Sequence, residues 1–157
     1  MMSRPRFSSG SLFSWAAGLS AALLLPPGVA AAQQGSTAKA EVLVKRSESW
    51  NGKPYTAYPK GTPELTVLRL TIAPGAALPW HTHPFPNAGY VLSGALTIHD
   101  RDSGKQETFR PGQAFTESVD DVHRGVAGDK GAVVLLVYAG IRNQPTSVPV
   151  AGQPKEY

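Results

Sequence analysis

The sequence GAALPWHTHPFPNAGYVLSG, residues 75–94, decides the fold and points to the chemistry of this protein. It separates His81 and His83 by a single residue, between prolines, ahead of the apolar residues Tyr90–Leu92. Side chains at positions i and i+2 of an extended chain project from the same face. Both imidazoles can therefore bind one metal ion, because imidazole nitrogen is a ligand of zinc and of other transition metals.

A third histidine, His123, follows downstream, after a turn at Pro111-Gly112 and a short apolar segment. Three imidazoles around one point would form a metal site with positions left open. The alternative is that His81 and His83 are loop residues beside prolines and that His123 lies on the surface. The combined spacing favours the metal site.

The spacing of residues 75–94 resembles the first sequence motif of the cupin family. Gly75, His81, His83 and Gly94 stand at fixed positions of that motif, whereas Asn87 stands where the family usually carries Glu. The resemblance implies a jelly-roll β-barrel with a metal bound by histidines. It leaves three roles open for Asn87: weak coordination, holding a metal-bound water, or a hydrogen bond to a ligand histidine.

The second cupin motif is matched in part. Gly112 and His123 keep its register, while Ser118, Asp120 and Ala127 replace the usual Pro, Gly and Asn. With the flanking strands, the resemblance covers about residues 64–140.

Strand patterns support the same fold. Leu65–Ile72 alternates, Ser93-Gly94 is a hairpin signal, and Ala132–Tyr138 is a continuous apolar run that predicts a strand buried on both faces. The β-branched residues of Glu41–Arg46 predict a first strand. No useful helical periodicity follows residue 32, so we predict an all-β protein, which the resemblance specifies as a cupin-type jelly-roll barrel.

The first residues have the pattern of a secretory signal peptide. Arg4 and Arg6 precede an apolar stretch over Leu12–Leu25, and small residues lead to a cleavage site near Ala32. The stretch is too short for a membrane-spanning helix, so we expect no stable membrane anchor after cleavage. The predicted organisation is a signal peptide over 1–32, a flexible segment over 33–40, a cupin β-barrel domain over 41–148 and a tail over 149–157. The location would be the periplasm or the extracellular space.

The charge of the mature chain is small. Cleavage would remove two of 15 Lys and Arg residues and none of the 11 acids, which leaves a net charge of about +2. No basic run is present to neutralise phosphates, so nucleic acid is not an expected partner. The sequence has no Cys, so disulfides cannot stabilise this exported domain.

Replacing the family's Glu by Asn87 changes the charge of the predicted site. Three neutral imidazoles and an amide leave a divalent ion its full charge, so the open positions should attract an anionic ligand. We expect one divalent transition metal, Fe, Mn, Zn, Ni or Cu, and a small anionic partner.

Five other residues are candidates for the site. Glu117 lies near the second motif and could orient a histidine or accept a proton, although alternation favours a solvent-facing position. Four aromatic residues could line a substrate pocket or belong to the core: Phe85, Tyr90, Phe115 and Tyr138.

Two functions of different classes are consistent with the sequence. The first is an exported metalloenzyme of the dioxygenase, isomerase or lyase type that acts on a small anionic or dicarbonyl compound. The second is a non-catalytic cupin that binds a small molecule or a metal. Cupins are often homodimers, so a dimer is implied by the resemblance. The fold cannot choose the reaction.

Overall fold

A computed structural model of the protein describes residues 37–157, so the predicted signal peptide lies outside the described residues. Seven β-strands follow one another in that range: β1 (Pro63–Ile72), β2 (His81–Thr82), β3 (Asn87–Asp100), β4 (Gln106–Phe109), β5 (Ala114–Thr116), β6 (His123–Ile141) and β7 (Val148–Pro149). Residues 37–157 contain no helix, and so no helix among them is long and apolar enough to cross a membrane.

The two long strands β3 and β6 form the centre of one antiparallel sheet. β3 pairs with β4, β5 and β6, whereas β6 also pairs with β1 and β2, and β2 pairs with β7. This arrangement confirms the all-β, jelly-roll prediction. It also brings β2, which follows a proline-rich loop, directly beside the start of β6, where His123 lies.

One apolar core lies on the inner face of this sheet. Its buried members come from every region of the domain: Trp50, Ile72, Phe85, Val91, Leu96, Ile98, Phe109, Phe115, Ala127, Ala132, Val134, Leu136 and Tyr138. Leu68 and Leu70 of β1 pack against them, as the alternation of that strand predicts.

The burial of the apolar run Ala132–Tyr138 differs from the prediction. Burial alternates along it, and the side chain of Val137 is 43% exposed while Val134, Leu136 and Tyr138 are buried. Only one face of β6 packs against the core, because the opposite face of this antiparallel sheet meets solvent. The prediction of burial on both faces is wrong.

Residues Glu41–Arg46 do not form the predicted first strand. Val42 and Leu43 are 73% and 51% exposed. Their β-branched neighbours raise strand propensity, but a strand also needs a sheet edge that supplies partners for its backbone groups. The first strand of the described residues is β1.

Positive φ angles at two positions of the sequence motifs, Gly94 and Asp120, explain which residue types occur there. Gly94 has a φ of 75°, and a Cβ there would lie 2.0 Å from the carbonyl oxygen of Gly131, at a register shift between β3 and β6. Asp120 has a φ of 55° at the place where the second motif usually has Gly. Aspartate tolerates this left-handed conformation better than most residues, so the turn ahead of His123 is retained.

Candidate metal centre

Sheet pairing places the three histidines together. His81 in β2 is the register partner of His123 in β6, and His83 follows β2 by one position. Directly paired residues of an antiparallel sheet hold neighbouring side chains on the same face. The i, i+2 spacing then adds His83 to that face, as the sequence pattern predicts.

The three imidazoles form a compact and buried cluster. One ligand atom from each of His81, His83 and His123 lies within 4.8 Å of the others. The ring centroids are 4.6 to 5.0 Å apart, and each residue is at most 1% exposed.

Backbone carbonyls fix the tautomer of every ring. Nδ1 of His81 donates to the carbonyl oxygen of Pro79 at 2.9 Å, Nδ1 of His83 to that of Thr146 at 2.6 Å, and Nδ1 of His123 to that of Asp121 at 2.8 Å. A carbonyl oxygen can only accept, so each Nδ1 carries the proton and each neutral ring directs the lone pair of Nε2 inward. The three Nε2 atoms are buried; among the described residues those of His81 and His123 have no hydrogen-bond partner, whereas that of His83 faces Oε2 of Glu117 at 3.0 Å. The donor set therefore fits one divalent transition metal, whose ligand histidines usually bind outer partners in this way.

Burial and mutual repulsion favour the neutral, metal-binding form of two of the rings. Burial, with the charges of His123 and His83, lowers the pKa of His81 to about 3. Burial also lowers the pKa of His123. Burial acts in the same direction on His83, but the charge and hydrogen bond of Glu117, together with the Thr146 carbonyl and the charge of Glu156, outweigh it and raise the pKa of His83.

Glu117 is part of the cluster. Its Oε2 lies 3.0 Å from Nε2 of His83 and its Oε1 3.9 Å from Nε2 of His123, and its side chain is 8% exposed. The expectation of a solvent-facing position is wrong. Burial opposes ionisation of this carboxyl, but the charge and hydrogen bond of His83, together with the charges of His123 and His81, lower its pKa to about 2. Without metal, Glu117 and His83 form a buried ion pair.

The prediction from alternating buried and exposed side chains was wrong at Glu117 because both faces of the chain are covered there. Residues 115–118 are all buried. The loop that precedes β1 lies over them: the amide of Trp50 donates to the carbonyl oxygen of Thr116 at 2.8 Å, and the hydroxyl of Tyr55 to that of Glu117 at 2.6 Å.

Asn87 is buried at the start of β3, and neither side-chain polar atom has a hydrogen-bond partner among residues 37–157. The Nδ1 atoms of the three histidines are all bound to carbonyls, so Asn87 does not orient a ring through one of them. Its two remaining roles, coordination and holding a metal-bound water, stay predictions.

A second carboxylate reaches the cluster from a part of the chain that the sequence patterns did not single out. Oε2 of Glu156 lies 3.4 Å from Nε2 of His81, and the Glu156 side chain is 4% exposed. Burial, followed by the charge of Glu117, raises its pKa to about 7. No motif marks residues 149–157, which by composition predict only a tail.

The four aromatic pocket candidates lie in different surroundings. The ring of Tyr138 is 5.4 Å from that of His83, so Tyr138 packs beside the cluster, and the ring of Phe85 lies 6.4 Å from that of Tyr138. Phe115 instead stacks on Phe109 at 4.8 Å. Tyr90 is half-buried in β3, opposite Leu135.

A cavity of about 440 Å³ opens next to Asn87. Its walls combine apolar side chains of the sheet with the loop ahead of β1: Arg46, Ser47, Tyr55, Thr56, Ala57, Tyr58, Pro86, Asn87, Ala88, Thr116, Val137 and Ala139. The three histidines do not line it.

Residues 68–138 match the family model of the cupin domain. These residues form a cupin domain. No curated protein matches the chain.

Solved structures are similar to part of this chain. KdgF from Halomonas sp. is 26% identical, with 54% of this chain and 76% of that chain covered and a TM-score of 0.45. A cupin described as RmlC-like, from Shewanella frigidimarina, is 20% identical over 51% of this chain and 69% of that chain, with a TM-score of 0.45. Oxalate decarboxylase from Bacillus subtilis is 18% identical with a TM-score of 0.50. That match covers 57% of this chain but only 24% of the oxalate decarboxylase, so it supports the fold alone.

Proposed function

We propose that this protein is a metalloenzyme that binds one divalent transition metal through Nε2 of His81, His83 and His123. One observation carries the proposal: the three buried Nε2 atoms converge, while each Nδ1 is fixed by a carbonyl. Leaving the Nε2 atoms of His81 and His123 buried and unpaired is costly, and a bound cation removes that cost.

The reaction that we propose is of the dioxygenase, isomerase or lyase type, on a small anionic or dicarbonyl compound. A divalent ion supplies Lewis-acid or redox chemistry when it is bound. The chain supplies the rest: carbonyls orient the rings, Glu117 lies beside His83 and His123, and the apolar rings of Phe85 and Tyr138 restrict water near them.

The cavity beside Asn87 is the proposed substrate entrance. Arg46 lines it and offers a guanidinium that can bind a carboxylate in a bidentate manner. Tyr55 and Tyr58 add apolar surface with hydroxyl groups, which suits a small anion with an unsaturated or carbonyl-bearing body.

Non-catalytic binding is the second candidate, and the two carboxylates favour it. Glu117 and Glu156 lie within 4 Å of the histidine nitrogens, on the space that a substrate would need. Oxygen consumption and substrate conversion by the metal-loaded protein distinguish the two functions, because a binding protein shows neither.

Elemental analysis of protein purified without a histidine tag tests the metal site. We expect about one transition metal ion per chain, and none in His83→Ala. The matched control is His99→Ala, because His99 lies in β3 outside the cluster and its loss should leave the metal content unchanged. Equal metal content in His83→Ala and the unmodified protein would refute the proposal.

Export is also proposed, on the sequence pattern of residues 1–32. Mass spectrometry of the protein recovered after expression with a secretion pathway should give a chain that begins near Gln33. An intact amino terminus on the recovered protein would contradict it.

A homodimer is proposed through the outer face of the sheet. Val67 of β1 and Val137 of β6 are register partners, and they are 66% and 43% exposed beside Leu65 at 76%. Such an apolar stripe is suited to an interface. Light scattering should give twice the chain mass, and Val67→Lys should give the monomer.

A further inference from the structure

The closing segment, residues 145–157, is held against the metal centre by backbone contacts. β7 pairs with β2, so that Pro149 lies opposite His81 and Val148 opposite Thr82. The amide of Val150 donates to the carbonyl oxygen of Trp80 at 3.0 Å. The carbonyl oxygen of Thr146 in the same segment fixes the ring of His83, so the segment is part of the site's construction.

The far end of the closing segment is held by side chains. The hydroxyl of Tyr157 donates to that of Tyr138 at 3.1 Å and shares a hydrogen bond of 2.8 Å with Oγ1 of Thr146. Because Tyr138 packs beside His83, this anchor positions the residue before Tyr157 over the histidines.

That residue is Glu156, and its environment without a cation is unfavourable. Its Oε2 is buried, lies 3.4 Å from Nε2 of His81 and has no hydrogen-bond partner among the described residues. A buried carboxylate is normally paired or bound to a metal, because its desolvation is otherwise uncompensated. His81 cannot satisfy it as a donor, since the proton of that ring is on Nδ1.

The charges around the site also indicate that Glu156 faces a cation. Three neutral imidazoles leave a divalent ion with two positive charges, and Asn87 offsets neither of them. The carboxylates of Glu117 and Glu156 approach the nitrogens from different sides, one near His83 and His123 and the other near His81. Together they supply two negative charges.

We propose that Glu156 is a metal ligand delivered by the closing segment, and that an external anion must displace it to bind the ion. The proposal rests on the metal site proposed above and adds a ligand and a means of controlling access to it. The segment is fixed firmly at Val148–Val150 by backbone pairing, whereas Tyr157 is held through its hydroxyl group, so the Glu156 end is the part that can release.

The test uses Co²⁺ as the metal and azide as the external anion, with the variants Glu156→Gln and Glu64→Gln. Both substitutions replace a carboxylate by an amide, but Glu64 is exposed in β1. Chelator competition gives the Co²⁺ affinity of each protein, and the visible absorption of the Co²⁺ form reports azide binding. We expect Glu156→Gln to weaken Co²⁺ binding at least tenfold and to tighten azide binding at least fivefold, with Glu64→Gln unchanged.

A Co²⁺ affinity of Glu156→Gln within twofold of the unmodified protein would overturn the proposal, and loss of metal in His83→Ala would show that the metal site itself remains. Failure of the unmodified protein to bind Co²⁺ would overturn both. Should Glu156→Gln fold poorly, Tyr157→Phe provides a second test, since it keeps the carboxylate but removes the anchoring hydroxyl. Tighter azide binding by Tyr157→Phe supports displacement, and an unchanged azide affinity overturns it.

Discussion

Oε2 of Glu117 lies 3.0 Å from Nε2 of His83, and both side chains are almost entirely removed from solvent. In the metal-free protein this contact is a buried ion pair, which raises the pKa of His83 and lowers that of Glu117. A metal ion at the same nitrogen would displace the proton from His83 and leave the carboxylate facing a cation. Glu117 can thus stabilise the site both with and without metal.

Glu117→Gln should lower the pKa of His83 in the metal-free protein. Burial alone disfavours the imidazolium, and the charge of Glu117 is the main influence that opposes it. An NMR titration of the imidazole protons would measure the change, with the exposed Glu107→Gln as control. A His83 pKa that is the same in both variants would show that Glu117 does not set it.

Bound metal should stabilise the fold by mass action. At 100 to 1,000 times the dissociation constant, a ligand that binds only the folded state adds about 2.7 to about 4.1 kcal/mol to the free energy of unfolding. Thermal melting of the loaded protein, with and without a chelator, measures this gain. The His83→Ala variant should melt at the same temperature in both samples, and so should the unmodified protein if there is no metal site.

Asp100→Asn should reduce stability by about 2 kcal/mol at neutral pH. Asp100 accepts hydrogen bonds from the amide of Ser103 at 2.7 Å and from Nδ2 of Asn51 at 2.7 Å. Burial would raise the pKa of this carboxyl, but these hydrogen bonds lower it to about 2. A depressed folded-state pKa contributes stability above the unfolded value, and that stability is lost as pH falls toward the folded value.

The difference in unfolding free energy between Asp100→Asn and the unmodified protein should therefore shrink between about pH 4 and about pH 2. Denaturant unfolding at several pH values measures it. The control is Asp102→Asn, because the Asp102 side chain is 68% exposed and should matter little at any pH. An equal loss at both ends of the range would rule out the titration of Asp100 as its source.

Gly94→Ala should destabilise the protein far more than Gly104→Ala. Both glycines have positive φ, 75° and 69°, so both substitutions carry the strain of about 1–2 kcal/mol for a left-handed residue. Only at Gly94 would the new Cβ meet backbone, 2.0 Å from the oxygen of Gly131, whereas nothing lies within 4 Å at Gly104. Urea unfolding should separate the two variants by about 2 kcal/mol or more, and equal losses would mean that β3 and β6 can move apart there.

Local patterns in the sequence were sufficient to predict the histidine cluster. The i, i+2 spacing defines one face of a strand, and the register of the second motif supplies His123. The fold class followed in the same way from alternating strands and turns, although the apolar run of β6 conceals that one of its faces meets solvent.

The two carboxylates could not be predicted from local patterns. Glu117 follows β5 at a place where a preceding loop, with Trp50 and Tyr55, covers the side that alternation assigns to solvent. Glu156 depends on the pairing of a two-residue strand, β7, with another, β2. Tertiary packing decides whether such short strands pair, so amino-acid composition cannot predict them.

The double pairing of His81, with His123 on one side and Pro149 on the other, has a consequence for the dynamics of the domain. An ion shared by these segments would act as a cross-link between stretches that are remote along the chain. Amide hydrogens of β2, β7 and the first residues of β6 should then exchange with deuterium as one cooperative unit. The hairpin over residues 95–109, which holds none of the candidate ligands, should keep its own exchange rate.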